Sequence, residues 1–209
     1  MFPERVDTER LRLVRLCRAN FDPVDLYRYY SRHSDTVDEE TAHLTWDPHE
    51  TPKETWDAVV DAERRWDDGE AATYALVPRD GEDGAGEFAG TTDFDLDWEK
   101  RTAIFAVWLR KPFWGRGYSG ERAAALLALA FDHLDLELVS AGYLSGNENS
   151  RRAIEKYVER FGGRYDGILR NWVPMDGAVR DLHRYTVTRE QWARNRDAGP
   201  DVTIPPPDG

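Results

Sequence analysis

The stretch that decides the fold is residues 107–121, which read VWLRKPFWGRGYSGE. An apolar run ends in a turn with three glycines, and the Ala/Leu-rich residues 117–134 that follow predict a long helix. Because glycine has no Cβ, backbone N–H groups can converge in such a turn, and the helix N-terminus adds partial positive charge. The stretch therefore predicts a strand, a tight turn and a helix that can bind a phosphate, with Arg116 as a cation at the rim.

Other glycine-rich motifs fit this stretch less well. A P-loop needs Gly-Lys-Ser/Thr where this chain has Gly117, Tyr118 and Ser119. A dinucleotide fingerprint belongs to the first strand–helix unit of a parallel sheet, whereas this turn follows an antiparallel meander. A hydrolase nucleophile elbow would need one more glycine after residue 120. The remaining alternative is that the glycines only make a strand-to-helix turn.

The hydrophobic pattern around this stretch predicts a mixed α/β fold with helices on both faces of a sheet. A first strand near residue 10 precedes two helices, which start at Asp22-Pro23 and at the capping sequence Thr51-Pro52. Three antiparallel strands, a helix, a strand, a helix and a closing hairpin to Thr188 follow. The strand–helix–strand passage implies one parallel pair with a right-handed crossover. We expect one domain over residues 1–194 and a loose tail over 195–209.

Composition narrows the classes of function. Asp and Glu number 40 against 28 Lys and Arg, a net charge of −12, which argues against nucleic-acid binding. Without a membrane-spanning run, a signal-peptide pattern or more than one cysteine, the chain is expected to be soluble and cytoplasmic. Its five histidines lack metal-ligand spacing, so no metal is expected. Only four lysines in so acidic a chain predict a halophilic protein; an acidic mesophile with a GC-rich genome is the alternative.

Two blocks resemble the GNAT N-acetyltransferases. Residues 114–119 are similar to motif A of that family, Q/R-x-x-G-x-G/A, with Trp114 and Ser119 in place of its outer residues. Their WGRGY form resembles the RimJ/RimL-type branch. Residues 147–156 fit that branch's N-x-x-S-x-x-x-x-E-K at the expected spacing. The sequences TERLRL at 8–13, WDP at 46–48, LRN at 169–171 and DG at 176–177 also resemble this branch.

The resemblance implies a mostly antiparallel GNAT sheet, splayed at a cleft for acetyl-CoA. It implies that the backbone of residues 108–110 pairs with the pantetheine arm and that Leu109 N–H polarises the thioester carbonyl. The amides of residues 116–120 would bind the pyrophosphate, and Asn147 would bind a pantetheine amide or cap a helix. The cofactor-binding residues implied are Trp108, Leu109, Arg110, Trp114, Gly115, Arg116, Gly117, Tyr118, Ser119, Gly120 and Asn147.

Catalytic residues are implied less directly. Many relatives protonate the departing thiolate with a tyrosine, but this chain has Ile154 at that position. The branch resemblance implies Ser150 instead, and a helix cap is its alternative role. For deprotonation of the amine, Asp93 and Asp95 lie on one face of the strand before motif A. A solvated acidic surface, or a site for a cationic acceptor, is the alternative for both.

These observations predict an enzyme that transfers acetyl from acetyl-CoA directly to a primary amine. The acceptor is a protein N-terminus or a small amine such as a polyamine, amino sugar or amino acid. Two other classes stay open: a non-catalytic acyl-CoA sensor on the same fold, and a phosphate-ester binder unrelated to CoA. The oligomeric state also stays open, with a homodimer as one option.

Overall fold

A computed structural model describes residues 1–175 and 177–205, so the Asp176 of the DG pair and residues 206–209 of the expected tail lie outside the described residues. One sheet contains eight strands in the order β1-β2-β3-β4-β5-β6-β8-β7. The strands are β1 (Arg5–Asp7), β2 (Leu11–Arg15), β3 (Ala71–Pro78), β4 (Gly90–Asp97), β5 (Thr102–Leu109), β6 (Leu138–Leu144), β7 (Arg164–Met175) and β8 (Ala178–Thr188). All neighbouring strands are antiparallel except β5 and β6, which confirms the single parallel pair predicted.

Helices cover both faces of the sheet, as expected. They are α1 (Pro23–Tyr30), α2 (Val37–Thr41), α3 (Pro52–Asp67), α4 (Tyr118–Ala128), α5 (Glu148–Arg160) and α6 (Arg189–Asn195). The larger core contains the α4 leucines, which are fully buried because this helix packs against both the sheet and α5. A smaller core on the other face joins α1 and α3 to Phe88 and Trp108.

The parallel pair opens part of the way along its length. β5 and β6 pair only from Thr102–Phe105 to Leu138–Ala141. Beyond that point β5 follows β4 to Leu109, while β6 follows β8 to Leu144. The sheet therefore splays beside the glycine-rich turn, as the family resemblance implied.

Several local features differ from the expectations. The first strand is a hairpin of β1 and β2, and the region expected to be irregular contains α2. The capping box expected at Thr51 does not form, because the Thr51 side chain accepts no backbone hydrogen bond from α3. Asp22 caps α1 as predicted. A further helix, α6, follows Thr188, whose side chain and that of Gln191 form a capping box that was readable in the sequence.

The expectation of a loose tail fails for residues 195–205. Thr203 exchanges two backbone hydrogen bonds with Asp7, of 2.8 and 2.9 Å, and thereby pairs with the edge strand β1. Val202 and Ile204 pack against the larger core. Two apolar side chains that can reach the core explain why this segment is held down.

The excess of acidic groups leads to a prediction about salt. Repulsion among like charges destabilises the folded state, and the Debye length shrinks to about 3 Å in 1 M salt. We expect the melting temperature to rise from 0.1 M into the molar range of KCl, because the net charge is −12. Thermal unfolding is measured in KCl and in a neutral osmolyte. The osmolyte stabilises only by its exclusion from the protein surface, so the comparison separates that effect from the screening of charge. A flat or falling melting temperature would contradict the halophilic prediction and leave the enzymatic one untouched.

Candidate active site

A cavity of about 1250 Å³ follows the opening between β5 and β6 and continues between α4 and α5. It brings together most of the residues expected to bind the cofactor. Those that line it are Trp108, Leu109, Trp114, Gly115, Gly117, Tyr118, Ser119, Gly120 and Asn147, and Ser150, the predicted proton donor, lines it as well. Among the described residues, no group of three or more His, Cys, Asp and Glu side chains could hold a metal ion, and no helix could span a membrane.

The glycine-rich turn presents free backbone donors to this cavity. Gly115 and Gly117 have φ values of +74° and +82°, which side-chain-bearing residues rarely adopt. Gly117 stands immediately before α4, and its carbonyl accepts the amides of Gly120 and Glu121 at 3.1 and 3.2 Å. Within the described part of the chain, the amides of residues 115–119 have no such acceptor. The turn therefore has the geometry of an anion site.

The first strands of the chain support this turn from behind. Glu121 is buried and accepts hydrogen bonds from the Thr8 hydroxyl at 2.5 Å and from the Arg10 amide at 2.7 Å. The Arg10 guanidinium also bonds Glu121, and it donates to the Arg116 carbonyl at 2.9 Å. Sequence reasoning recognised residues 8–13 only as part of a resemblance. The structure gives them a physical role, since they hold the turn by a charged pair.

Two predicted cofactor residues point their side chains elsewhere. The Arg116 guanidinium bonds the Asp83 carbonyl and carboxylate at 2.7 and 2.9 Å, so it does not stand at the cavity rim as expected. The Arg110 side chain donates to the Phe88 carbonyl at 2.6 Å and lies over the Tyr29 ring. Neither lines the cavity. Both guanidinium groups are therefore engaged by contacts within the protein.

The open edge of β5 offers backbone groups to a ligand. The Arg110 amide donates to the Ala89 carbonyl on the β4 side. In an antiparallel pair, the backbone groups of every second residue face the same neighbouring strand, so those of Trp108 also face β4. The backbone of Leu109 consequently faces the opening. Its carbonyl accepts the Trp114 indole N–H at 2.7 Å, which leaves the Leu109 N–H directed to the cavity. The family resemblance implied this N–H as the donor to the thioester, and that role stays a prediction.

Asn147 and Ser150 lie together where α5 begins. The Asn147 side-chain oxygen accepts the Ser150 amide at 3.0 Å, so Asn147 is the cap of α5 and Ser150 lies in its first turn. A cap role for Ser150 is therefore wrong. Within the described residues, neither the Ser150 hydroxyl nor the Asn147 side-chain N–H₂ has a hydrogen-bond partner. Both groups are free to meet a ligand in the cavity.

Asp93 and Asp95 share one face of β4, but neither lines the cavity. Asp93 pairs with Ala106, the first β5 residue beyond the contact with β6, and Asp95 pairs with Ile104 inside the paired part. Neither side chain reaches the cavity that Trp108 lines, so the expectation that they flank the cleft centre is not met. Asp95 forms an ion pair with Arg65. Burial raises the pKa of Asp93, and the hydrogen bond from Thr73 offsets this only in part.

The mouth of the cavity contains residues that sequence reasoning missed. α2 and the turn after it bring Glu40 and His43 across the opening. Buried Glu40 accepts the Lys111 amide at 2.7 Å and the Trp108 indole N–H at 3.3 Å, which fastens this segment to β5. His43 is exposed, and a Cβ on Gly146 would lie 3.9 Å from its Cε1. No local pattern signals these roles, because they depend on where the segment packs.

A buried pair lies beneath the opening. Arg122 is 2% exposed, lies over the Phe105 ring and donates to the Thr92 hydroxyl at 3.3 Å. Burial lowers its pKa, and a hydrogen bond with Tyr157 opposes that effect. The same burial raises the pKa of Tyr157, which lines the cavity and therefore presents a protonated side chain. Tyr157 is a second hydroxyl on the wall that carries Ser150.

The splayed sheet beside a glycine-rich helix start defines an acyltransferase-type α/β protein. The chain belongs to the GNAT acetyltransferase family: the profile of the acetyltransferase (GNAT) domain matches residues 10–157, more than half of its length.

Two curated relatives match parts of the chain. YdaF of Bacillus subtilis, provisionally named a ribosomal N-acetyltransferase, is 31% identical over 47% of this chain and 51% of its own length. An Aspergillus fumigatus protein, FsC-acetyl coenzyme A-N(2)-transacetylase, is 29% identical over 52% of this chain and 49% of its own. The chain thus spans about half the length of the curated relatives it matches.

Several solved structures have the same fold over most of the chain. A protein from T. thermophilus, provisionally described as an acetyltransferase, is 28% identical with a TM-score of 0.72, covering 94% of this chain and 95% of that one. A GCN5-related N-acetyltransferase from Brucella melitensis has a TM-score of 0.77 at 19% identity, covering 94% and 84%. Spermidine N-acetyltransferase from Vibrio cholerae, solved with CoA and spermine, has a TM-score of 0.68 at 15% identity, covering 88% and 98%. The last two likenesses concern the fold alone.

Proposed function

We propose that this protein transfers the acetyl group of acetyl-CoA to a primary amine. The observation that carries the proposal is the cavity in which free amides of the glycine-rich turn and the free Leu109 N–H open onto one space. Cys17, the chain's one cysteine, is buried and does not line that cavity. The amine therefore attacks the thioester directly, without a cysteine-bound acyl intermediate.

In this proposal, some residues of the cavity bind acetyl-CoA and others assist the transfer of the acetyl group. The turn amides bind the pyrophosphate, and the free N–H₂ of Asn147 donates to a pantetheine carbonyl. The Leu109 N–H donates to the thioester oxygen, where negative charge develops as the amine attacks. The Ser150 hydroxyl donates to the sulfur as the C–S bond breaks.

The acceptor approaches from the mouth formed by α2 and the turn that follows it. Glu39, Glu40 and Glu148 line the cavity there. Lys111 pairs with Glu39 and Arg151 with Glu148, whereas Glu40 has no ion-pair partner among the described residues, and its carboxylate favours a cationic amine over an acidic one. YdaF's provisional name supports a protein N-terminus as acceptor, and spermine in the Vibrio cholerae structure supports a small polyamine. We favour the N-terminus, because the sequence resembles the RimJ/RimL-type branch, whose members acetylate protein N-termini.

A base must take a proton from the acceptor ammonium before attack. Asp93 and Asp95 were the sequence-derived candidates; Asp93 is the better of the two, because Asp95 is ion-paired with Arg65. His43 lines the cavity, and imidazole can accept a proton near neutral pH. We therefore propose His43 as the base.

This assignment makes a prediction about pH. His43→Gln is expected to lower kcat/KM by about tenfold near pH 7, since water in the open cavity can replace the base in part. The acid limb of the pH–rate profile should move in this variant and stay in place in Asp93→Asn. Initial rates from pH 5 to 9 measure both effects. The opposite pattern would transfer the role to Asp93.

The proposal as a whole is tested by a screen with acetyl-CoA. N-terminal peptides and small amines are offered in low and molar salt, and release of CoA thiol is measured. Turnover with at least one amine is expected. Tight CoA binding by calorimetry without turnover would favour the acyl-CoA sensor. Equal affinity for CoA and simple phosphates would favour the unrelated phosphate-ester binder.

A further inference from the structure

One wall of the cavity carries a row of cations that the roles above do not use. Arg152, Lys156 and Arg160 recur every four residues along α5, so they lie on one side of the helix. All three line the cavity. Eight residues of helix place the two ends of this cationic row about 12 Å apart along the axis.

The cationic row differs from most of the chain's basic side chains, which pair with carboxylates. Arg151, its immediate neighbour, pairs with Glu148 and Glu155 at 3.5 and 3.1 Å. Within the part of the chain that the structure describes, no carboxylate lies in ion-pair distance of the row. The Arg152 guanidinium donates a hydrogen bond to the Asn149 side-chain oxygen at 2.7 Å. In a chain of net charge −12, cations left unpaired along a cavity are available to an anionic ligand.

The row leads away from the thioester end of the cavity. Asn147 stands where α5 begins, and Arg160 is the last residue of that helix, about 20 Å further along its axis. Residues 198–200 of the C-terminal segment line the cavity as well. A Cβ on Gly199 would lie 2.9 Å from the Phe161 ring, so this segment packs closely against the end of α5. At the end of the cavity away from Asn147, the cationic row therefore lies beside the wall that residues 198–200 form.

We propose that Lys156 and Arg160 bind the 3′-phosphate on the ribose of CoA, and that Arg152 adds to the field. The inference rests on the proposed function, which supplies the ligand. The amides of the turn before α4 bind the pyrophosphate in the proposed function. The cationic row is therefore available to the 3′-phosphate, which lies at the end of CoA opposite the thioester. A phosphomonoester is close to a dianion at pH 7, and an ammonium beside a planar guanidinium suits it. Glu148, an opposing charge, lies at the other end of α5.

The test compares CoA with dephospho-CoA, which lacks only this phosphate. Isothermal titration of the full chain in about 0.1 M salt is expected to give at least tenfold tighter binding of CoA. In Lys156→Gln/Arg160→Gln, the affinity for CoA should fall to that for dephospho-CoA, and the latter should not change. Arg151→Gln removes a cation from the same helix outside the cavity and should leave both affinities unchanged.

Other outcomes separate this inference from the proposed function. Wild-type protein that binds both ligands equally would overturn the 3′-phosphate site and leave CoA binding intact. A double variant that weakens toward both ligands alike would assign the row to the pyrophosphate and overturn the inference. If the double variant still prefers CoA over dephospho-CoA as the wild-type protein does, the cationic row does not bind the 3′-phosphate and the inference is overturned. Wild-type protein that binds neither ligand would overturn both proposals.

Discussion

Replacing Gly117 by valine is expected to weaken acetyl-CoA binding by at least about a hundredfold, the equivalent of two charge-assisted hydrogen bonds. Gly117 has a φ of +82°, which a β-branched residue adopts only with strain. Any relaxation of that strain turns the amides of the turn away from the ligand. Inside the protein, the nearest atom to a Cβ at this position is Arg10 Nη2 at 3.4 Å, so the loss comes from backbone geometry rather than from a clash.

A matched variant separates loss of binding from loss of stability. Gly86 has a φ of +79°, a Cβ added there would meet no atom within 4 Å, and the residue lies outside the cavity. Gly86→Val and Gly117→Val should each lose about 1–3 kcal/mol of unfolding free energy through the same strain. Only Gly117→Val should lose CoA affinity in calorimetry at a temperature where both are folded. Unchanged affinity in folded Gly117→Val would refute the pyrophosphate site.

Removing the Ser150 hydroxyl is expected to lower kcat by about ten- to a hundredfold, in the lower part of the general-acid range. Ser150 lines the cavity beside the Asn147 cap, and its hydroxyl has no hydrogen-bond partner in the described part of the chain. Ser150→Ala should keep its CoA affinity, because the turn amides and Asn147 remain. Its stability should change by less than about 0.5 kcal/mol, because the cap belongs to Asn147. Steady-state rates, calorimetry and thermal unfolding measure the three quantities.

Two further variants make this result specific. Ser145→Ala removes a hydroxyl that bonds His183 at 3.1 Å outside the cavity, and its kcat should stay normal. Tyr157→Phe removes the other hydroxyl on the same wall, which Arg122 holds from behind. A larger loss of kcat in Tyr157→Phe than in Ser150→Ala would move the proton donor to Tyr157. Normal turnover in both would leave solvent as the donor.

Local sequence was sufficient for those parts of the site that a few adjacent residues build. The glycine-rich turn, α4 after it and a helix close to the start of α5 could all be predicted, because turn and cap geometry depend on neighbours in the chain. The alternation that places Asp93 and Asp95 on one face is likewise local. Their distance from the opening was not predictable, since it depends on the register between β4 and β5.

Tertiary structure decided which side chains reach the cavity. Arg116 turns to Asp83, Glu121 is held by Arg10, and His43 crosses the mouth through contacts between residues far apart in the chain. The same holds for residues 198–200, which wall the far end because Thr203 pairs with Asp7. By itself, the sequence determined the order of the main strands and helices and the anion-binding turn, because these depend on hydrophobic period and backbone conformation, although β1, α2 and α6 were not predicted from it. The choice of partner for each charged side chain fell to the tertiary structure, because long flexible side chains take whichever opposite charge the packing brings within reach.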